Sequence, residues 1–142
     1  MLILGTAALP CSCSTYQVTL NNRSVYQPPA LLRAIAVADP ALETCIEQTI
    51  VDQAVVDIKD LVDLRCTHTG IVSLTGLEQL THLAQLDLSN NLLTAISSLL
   101  NIESLILINL LGNPELVCDQ VERIKAAKPA VTIRVPKHCH QN

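Results

Sequence analysis

The apolar positions between Leu61 and Asn113 repeat with a period of 22 residues. The first copy, Leu61, Leu64, Cys66, Thr69 and Ile71, returns as Leu83, Leu86, Leu88, Asn91 and Leu93, then as Leu105, Ile108, Leu110 and Asn113. The second half of each unit repeats too, since Leu74, Leu77 and Leu80 map onto Ile96, Leu99 and Ile102. Two amphipathic helices would not keep asparagine at a fixed place in such a frame, so the period predicts stacked structural repeats.

Within each unit, the Leu-x-Leu segment alternates with the period of two that is typical of a short strand. Leu86 and Leu88 are expected to point inward, with Gln85, Asp87 and Ser89 pointing outward. Each repeat therefore contributes one strand to a parallel sheet. The rest of the unit returns the chain through an irregular or 3₁₀-like segment, because 22 residues leave little room for a long helix.

Asparagine follows two of the three strands, at the point where the chain must turn. An inward amide at Asn91 or Asn113 is expected to satisfy backbone groups that stacking would bury. Thr69 holds the equivalent position in the first copy and is a weaker substitute.

The segment from Leu61 to Pro114 resembles the 22-residue class of leucine-rich repeats, with LDLSNNLLTAI as its clearest unit. This resemblance implies an α/β solenoid of about three repeats, whose concave parallel sheet contacts a protein ligand. The family has no shared catalytic residues. The class of function that it implies is binding.

Both ends of the repeat stack carry sequences typical of caps, which such stacks require. Asp39 and Pro40 are expected to begin a short helix with Leu42, Ile46 and Ile50 on one face, and residues 37–60 resemble the N-terminal cap of internalin-like bacterial proteins. Residues 115–142 resemble the closing segment of such repeats, with a helix near 115–127 and a strand near 130–135. Caps on both sides of residues 61–114 predict a complete repeat domain.

Composition agrees with a core of stacked aliphatic layers. The chain has 24 leucines, no phenylalanine and no tryptophan, and 49% of its residues are apolar. The formal net charge of -4 provides no basic face for phosphates, which argues against nucleic acid as a partner.

The six cysteines stand at positions 11, 13, 45, 66, 118 and 139. In the fold that the resemblance implies, Cys45 lies on the capping helix over the inward position of Cys66, and Cys118 lies in the cap that precedes Cys139. We therefore expect disulfides Cys45–Cys66 and Cys118–Cys139. Buried free thiols are the alternative. Metal binding by Cys66 with His68, or by His138, Cys139 and His140, lacks a CxxC pair, so neither a metal nor another cofactor is expected.

The first 13 residues contain an apolar run that resembles the tail of a secretion signal, and we expect a truncated signal segment there. Lipidation of Cys11 is an alternative, although Pro10 departs from the usual lipobox. Residues 14–36 are expected to form a tether, and Asn22 begins a glycosylation sequon. These features predict a secreted, periplasmic or cell-surface protein, with membrane attachment only through a processed N-terminus. A cytoplasmic protein with reduced cysteines is the alternative.

The outward strand positions align in three columns across the predicted sheet. These nine expected partner-binding residues are Asp63, Gln85 and Leu107, then Arg65, Asp87 and Asn109, then Thr67, Ser89 and Leu111. Leu107 and Leu111 stand where earlier copies carry polar side chains, and exposed leucines among polar neighbours suit a protein contact. The alternatives are that the C-terminal cap covers both leucines, and that Arg65 pairs with Asp87 across strands.

Three other functions compete with binding through this face. A structural element of the cell envelope would have no discrete ligand, and an intracellular scaffold or regulatory subunit would act in the reducing cytoplasm. An enzyme would need a nucleophile beside a base, and His68, Asp87 and Ser89 are the only set that the fold could gather. An open sheet has no pocket that excludes water, so the chain is not expected to be an enzyme.

Overall fold

The computed structural model describes residues 18–20, 23–26 and 35–140. The expected signal segment, Cys11 and Asn22 lie outside these residues. Strands β1 (Val18–Leu20) and β2 (Arg23–Tyr26) pair antiparallel within the segment expected to be a tether. In the described part of the chain, no helix has the length and apolar character needed to cross a membrane.

The repeats form one parallel sheet of four short strands in sequence order. These strands are β3 (Asp63–Arg65), β4 (Gln85–Asp87), β5 (Leu107–Asn109) and β6 (Thr132–Arg134). Each of the first two steps places a residue beside the one 22 positions later, so the sequence period is also the structural period. The parallel leucine-rich-repeat stack that the sequence predicted is confirmed.

The core is a column of aliphatic layers, one from each repeat. Leu64, Leu86 and Ile108 point inward from the strands and are fully buried. The chain returns through 3₁₀ turns at Leu77–Gln79 and Ser97–Asn101, which bury Leu77 and Leu99 against the same core. Branched aliphatic residues therefore fill the solenoid without aromatic rings.

A buried asparagine joins each repeat to the one before it. The Asn91 side-chain oxygen accepts hydrogen bonds from the backbone N–H groups of Thr69 and Ile71, both at 3.1 Å. The Asn91 amide donates to the carbonyls of Cys66 and Leu88. Asn113 repeats the arrangement one layer later and is also buried. We call these two side chains the asparagine ladder.

The N-terminal cap is helix α1 (Pro40–Asp52), which buries Leu42, Ile46 and Ile50 against the first repeat. Asp39 precedes the helix, as the sequence predicted. Pro40 occupies the first helical position, where a missing N–H costs nothing.

Asp39 has a second role that the sequence did not reveal. One carboxylate oxygen accepts from the N–H groups of Ala41 and Leu42, which caps α1. The other oxygen accepts from the N–H groups of Val72 and Ser73 in the first repeat, at 2.8 and 3.0 Å. A single carboxylate therefore both starts the capping helix and attaches the first repeat to it.

The C-terminal cap consists of helix α2 (Cys118–Ala127), strand β6 and a 3₁₀ turn at Lys137–His140. The helix begins three residues later than the sequence suggested, because the preceding residues still form the turn of the last repeat. Leu116 donates its N–H to the Asn113 carbonyl, and Val117 donates to the Thr94 carbonyl. Strand β6 is likewise shorter than the predicted 130–135.

Each cap contains one disulfide bond. Cys45 of α1 is joined to Cys66, directly after β3, with Cα atoms 5.8 Å apart. Cys118 at the start of α2 is joined to Cys139, with Cα atoms 5.3 Å apart. Each bond closes a loop with a sequence separation of 21 and fixes a terminal element to the stack.

Replacing Asn91 by alanine should destabilise the protein by at least about 3 kcal/mol. The N–H groups of Thr69 and Ile71 and the Cys66 carbonyl would lose their partner, at about 1–3 kcal/mol for each buried group. Asn101→Ala, at an exposed position, is the control and should change stability by less than about 0.5 kcal/mol. Urea denaturation measures the stability of both variants. Equal unfolding midpoints for Asn91→Ala and Asn101→Ala would contradict the structural role of the ladder.

Substitution of Asp39 by asparagine should make stability less dependent on acid pH. Burial raises the pKa of Asp39, but hydrogen bonds from the N–H groups of Val72, Ser73, Leu42 and Ala41 outweigh it and lower the pKa below 3.8. The folded state therefore favours the carboxylate, and its stabilisation is lost as the pH falls through this lowered pKa.

The wild-type advantage over Asp39→Asn should be full above about pH 5 and should shrink as the carboxylate is protonated. Unfolding free energies measured between pH 2 and pH 7 test this. Asp60→Asn, at an exposed position, serves as the control for a simple change of charge. A wild-type advantage that is constant over this range would show that the Asp39 charge is irrelevant.

Removing the Cys45–Cys66 bond by the double substitution Cys45→Ala and Cys66→Ala should destabilise the protein by about 3 kcal/mol on the loop-entropy argument. Reduction of the wild type should lower the free energy of unfolding further, because it also breaks the Cys118–Cys139 bond. Peptide mapping without reductant should recover the linked peptides 45–66 and 118–139. Recovery of these four cysteines as free thiols would disprove the assignment.

Candidate interaction surface

Strands β3, β4 and β5 bring the predicted columns together on one face of the sheet. The register pairs Asp63 with Gln85 and Gln85 with Leu107, and it aligns Arg65, Asp87 and Asn109 in the same way. Thr67, Ser89 and Leu111 follow the three strands. We call the sheet side opposite the buried leucines the open face.

Accessibility divides the nine residues into groups. Arg65, Thr67, Gln85 and Leu111 are exposed, whereas Asp63, Asp87 and Leu107 are half-buried. Ser89 and Asn109 were expected to be outward and accessible, but only 9% and 8% of their surface is exposed. That expectation is wrong for these two residues.

Ser89 and Asn109 are buried because they belong to a hydrogen-bonded network around Asp87. One Asp87 oxygen accepts from the Ser89 N–H at 2.9 Å, and the other accepts from the Asn109 amide at 3.0 Å. The Asn109 side-chain oxygen accepts from the Leu111 N–H. These side chains therefore fix the turns after β4 and β5, and little of their polar surface is left for a ligand.

The Asp87 network keeps its carboxylate ionised. Burial raises the pKa of Asp87, but hydrogen bonds from Ser89 and Asn109, together with the charge of Arg65, lower it below its ordinary value. A fixed negative charge therefore lies at the centre of the open face.

Arg65 pairs along its own strand rather than across the sheet. Its guanidinium donates to both carboxylate oxygens of Asp63, at 3.2 and 2.8 Å, and not to Asp87 as the sequence alternative proposed. The Arg65 side chain is 70% exposed, so this ion pair is weak and leaves the guanidinium free to contact a ligand.

An exposed apolar column lies beside the predicted columns, and the sequence interpretation missed it. Val62, Ala84 and Ile106 each precede a strand, and Val62 and Ile106 are 48% and 63% exposed. The Val62 carbonyl accepts from Ala84, and the Ala84 carbonyl accepts from Ile106, so the three residues are in register. Their 22-residue spacing was visible in the sequence. The sequence interpretation, however, assigned outward positions only from the first residue of each strand onward, so it did not include these three. We call them the apolar edge column.

The residues that could have formed a catalytic set have other contacts. The Ser89 backbone N–H donates to the Asp87 carboxylate, and the Ser89 carbonyl accepts from the His68 backbone N–H. Within the described residues, the His68 ring hydrogen-bonds to neither side chain. The arrangement therefore lacks the contact between a base and the hydroxyl that nucleophilic catalysis needs.

One group of potential metal ligands lies in the C-terminal cap. Donor atoms of Cys118, His138 and Cys139 lie within 4.8 Å of one another. The two sulfur atoms are joined in the disulfide, and a metal requires thiolates. The His138 Nε2 atom lies 3.0 Å from the Leu116 carbonyl oxygen. The group in this oxidised form therefore serves the cap rather than a metal.

Comparison with known proteins identifies the fold but not a specific activity. Neither a protein-family model nor a curated protein matches the chain. Among solved structures, internalin C2 of Listeria monocytogenes is 24% identical, with a TM-score of 0.56 over 72% of this chain. An internalin F of the same species is 21% identical over 60% of this chain, but the TM-score is only 0.40.

The described chain corresponds to part of a longer protein in that comparison, since it spans 46% of the internalin C2 chain. This protein therefore has the leucine-rich-repeat fold of internalin C2.

Proposed function

We propose that this protein is an interaction module that binds a protein partner through the open face. The observation that carries the proposal is the apolar edge column, in register beside a polar sheet face. Ile106 is 63% exposed and directly precedes β5, while Leu111 is 40% exposed in the turn that follows the same strand. Aliphatic side chains among polar neighbours are typical of protein contacts.

The accessible contact set is smaller than the nine residues expected from the sequence. Arg65, Thr67, Gln85, Leu107 and Leu111 remain available, with Val62 and Ile106 added from the apolar edge column. Ser89, Asp87 and Asn109 support these contacts by holding the turns in place. A surface that is already ordered loses less conformational entropy on binding, so rigidity raises the affinity of a small interface.

The repeat fold shared with internalin C2 supports a binding role, because the repeats expose a regular and ordered sheet face. The two disulfides support an oxidising compartment, so we propose that the protein is secreted, periplasmic or at the cell surface. A sheet of four three-residue strands offers a small area, and the contact should be correspondingly modest.

The double substitution Leu107→Asp and Leu111→Asp should reduce capture of the partner at least tenfold. Two added charges would have to be desolvated at the contact, which opposes binding. The control is Leu100→Asp with Val117→Asp, which adds the same charges at exposed apolar positions outside the strands. Capture from an envelope fraction of the native host, followed by titration of the recovered protein, measures the effect.

Equal titration curves for the two double variants and the wild type would disprove the open-face proposal. If the envelope fraction gives no specific protein with the wild type under mild cross-linking, the protein is a structural element rather than a binding module.

A further inference from the structure

The segment 51–62 exposes an unusual combination of side chains at the start of the sheet. Val51, Val56 and Val62 are 53%, 83% and 48% exposed, although valine is usually buried. Three exposed aspartates alternate with them, namely Asp52, Asp57 and Asp60. This valine–aspartate corner joins the end of α1 to β3, at the first edge of the solenoid.

A groove with basic residues next to it lies at the last edge of the solenoid. It is lined by Leu111, Gly112, Asn113, Pro114, Pro136, Lys137 and His138. Its walls are mainly carbon, and Lys137 is exposed beside it. Arg134, also exposed, precedes the groove at the end of β6. This proline groove therefore offers an apolar cleft with cations next to it.

The charged residues of the whole solenoid are distributed in the same way, with an acidic first part and a basic last part. Residues 35–114 contain ten acidic and two basic side chains, whereas residues 115–140 contain three acidic and five basic ones. The valine–aspartate corner and the proline groove lie at opposite ends of the sheet, because the corner precedes the first strand and the groove follows the last two strands. A single copy therefore cannot bring its own corners together.

We propose that the proline groove of one copy receives the valine–aspartate corner of a second copy. The valines pack into the apolar cleft of the groove, and Asp52 and Asp60 face the charges of Lys137 and Arg134. The two surfaces differ, so the contact is head-to-tail and can continue from copy to copy. The contact uses Leu111 and Arg134 at the last edge of the open face and leaves Arg65, Thr67 and Gln85 free, so copies in a row would present those three residues side by side.

The test uses charge reversal in the full chain. One variant carries Asp52→Lys and Asp60→Lys, a second carries Arg134→Glu and Lys137→Glu, and a third combines all four substitutions. These sites avoid Asp57, which accepts from the Lys59 N–H and caps a 3₁₀ turn. The control is Glu103→Lys with Thr81→Lys, at exposed positions outside both corners. Sedimentation velocity over a range of protein concentrations measures self-association.

The wild type and the control should associate at high concentration, and each two-site reversal should weaken association at least tenfold. The four-site variant should associate again, as should an equal mixture of the two reversed proteins, because both restore opposite charges across the contact. A carbodiimide cross-link between Asp60 and Lys137 should form between isotopically labelled and unlabelled copies. This cross-link reports the corners directly and is insensitive to association through the apolar N-terminal residues.

Either of two results would overturn the proposal. One is a wild type that sediments as a monomer at all concentrations, and the other is association that the two-site reversals leave unchanged. Self-association is measured on the purified chain alone and partner capture on an envelope fraction, so a failure of self-association leaves the capture result intact and the reverse also holds.

Discussion

The asparagine ladder is the constraint on which the rest of the structure depends. Each 22-residue unit turns away from its strand inside the stack, where its backbone groups cannot reach water. Asn91 and Asn113 supply donors and acceptors to two successive layers at once, so one layer cannot form correctly without its neighbour. Among the described residues, no buried side-chain nitrogen or oxygen lacks a partner. The leucines provide the driving force, while the amides fix the spacing between layers.

The ladder also explains what the first repeat needs. Thr69 stands at the asparagine position but has no earlier repeat to bridge, and its hydroxyl instead donates to Asn91. The next N–H groups along the chain are satisfied from the cap, through Asp39. The cap therefore attaches to the first repeat through a carboxylate, next to the N–H groups of Thr69 and Ile71 that donate to Asn91 of the following repeat. The Cys45–Cys66 bond holds the same two elements together covalently.

Periodicity made the repeats, the parallel sheet and the helical cap predictable, because stacking requires the same side chain at the same place in every layer. The boundaries of α2 and β6 were less predictable, since the turn before α2 is hydrogen-bonded to the preceding repeat. Alternation alone could not foresee that Ser89 and Asn109 are buried, because the hydrogen bonds to Asp87 connect neighbouring strands. The apolar edge column was periodic as well, but Val62 and Ile106 precede the strands and do not alternate with the core. The identity of the partner depends on the outward side chains, which the repeat pattern does not determine.

Arg65 gives the open face unequal stiffness along its length. After β4 and β5, Asp87 and Asn109 each accept from the backbone two residues later and hold the turn. The equivalent residue at the end of β3 is Arg65, whose side chain has no acceptor to offer. The turn that begins at Thr67 is therefore held by fewer side-chain contacts, although Cys66 anchors its start. A ligand would meet a preformed surface at the leucine end and an adjustable one at the arginine end, so variation in ligand shape is best accommodated near the first repeat.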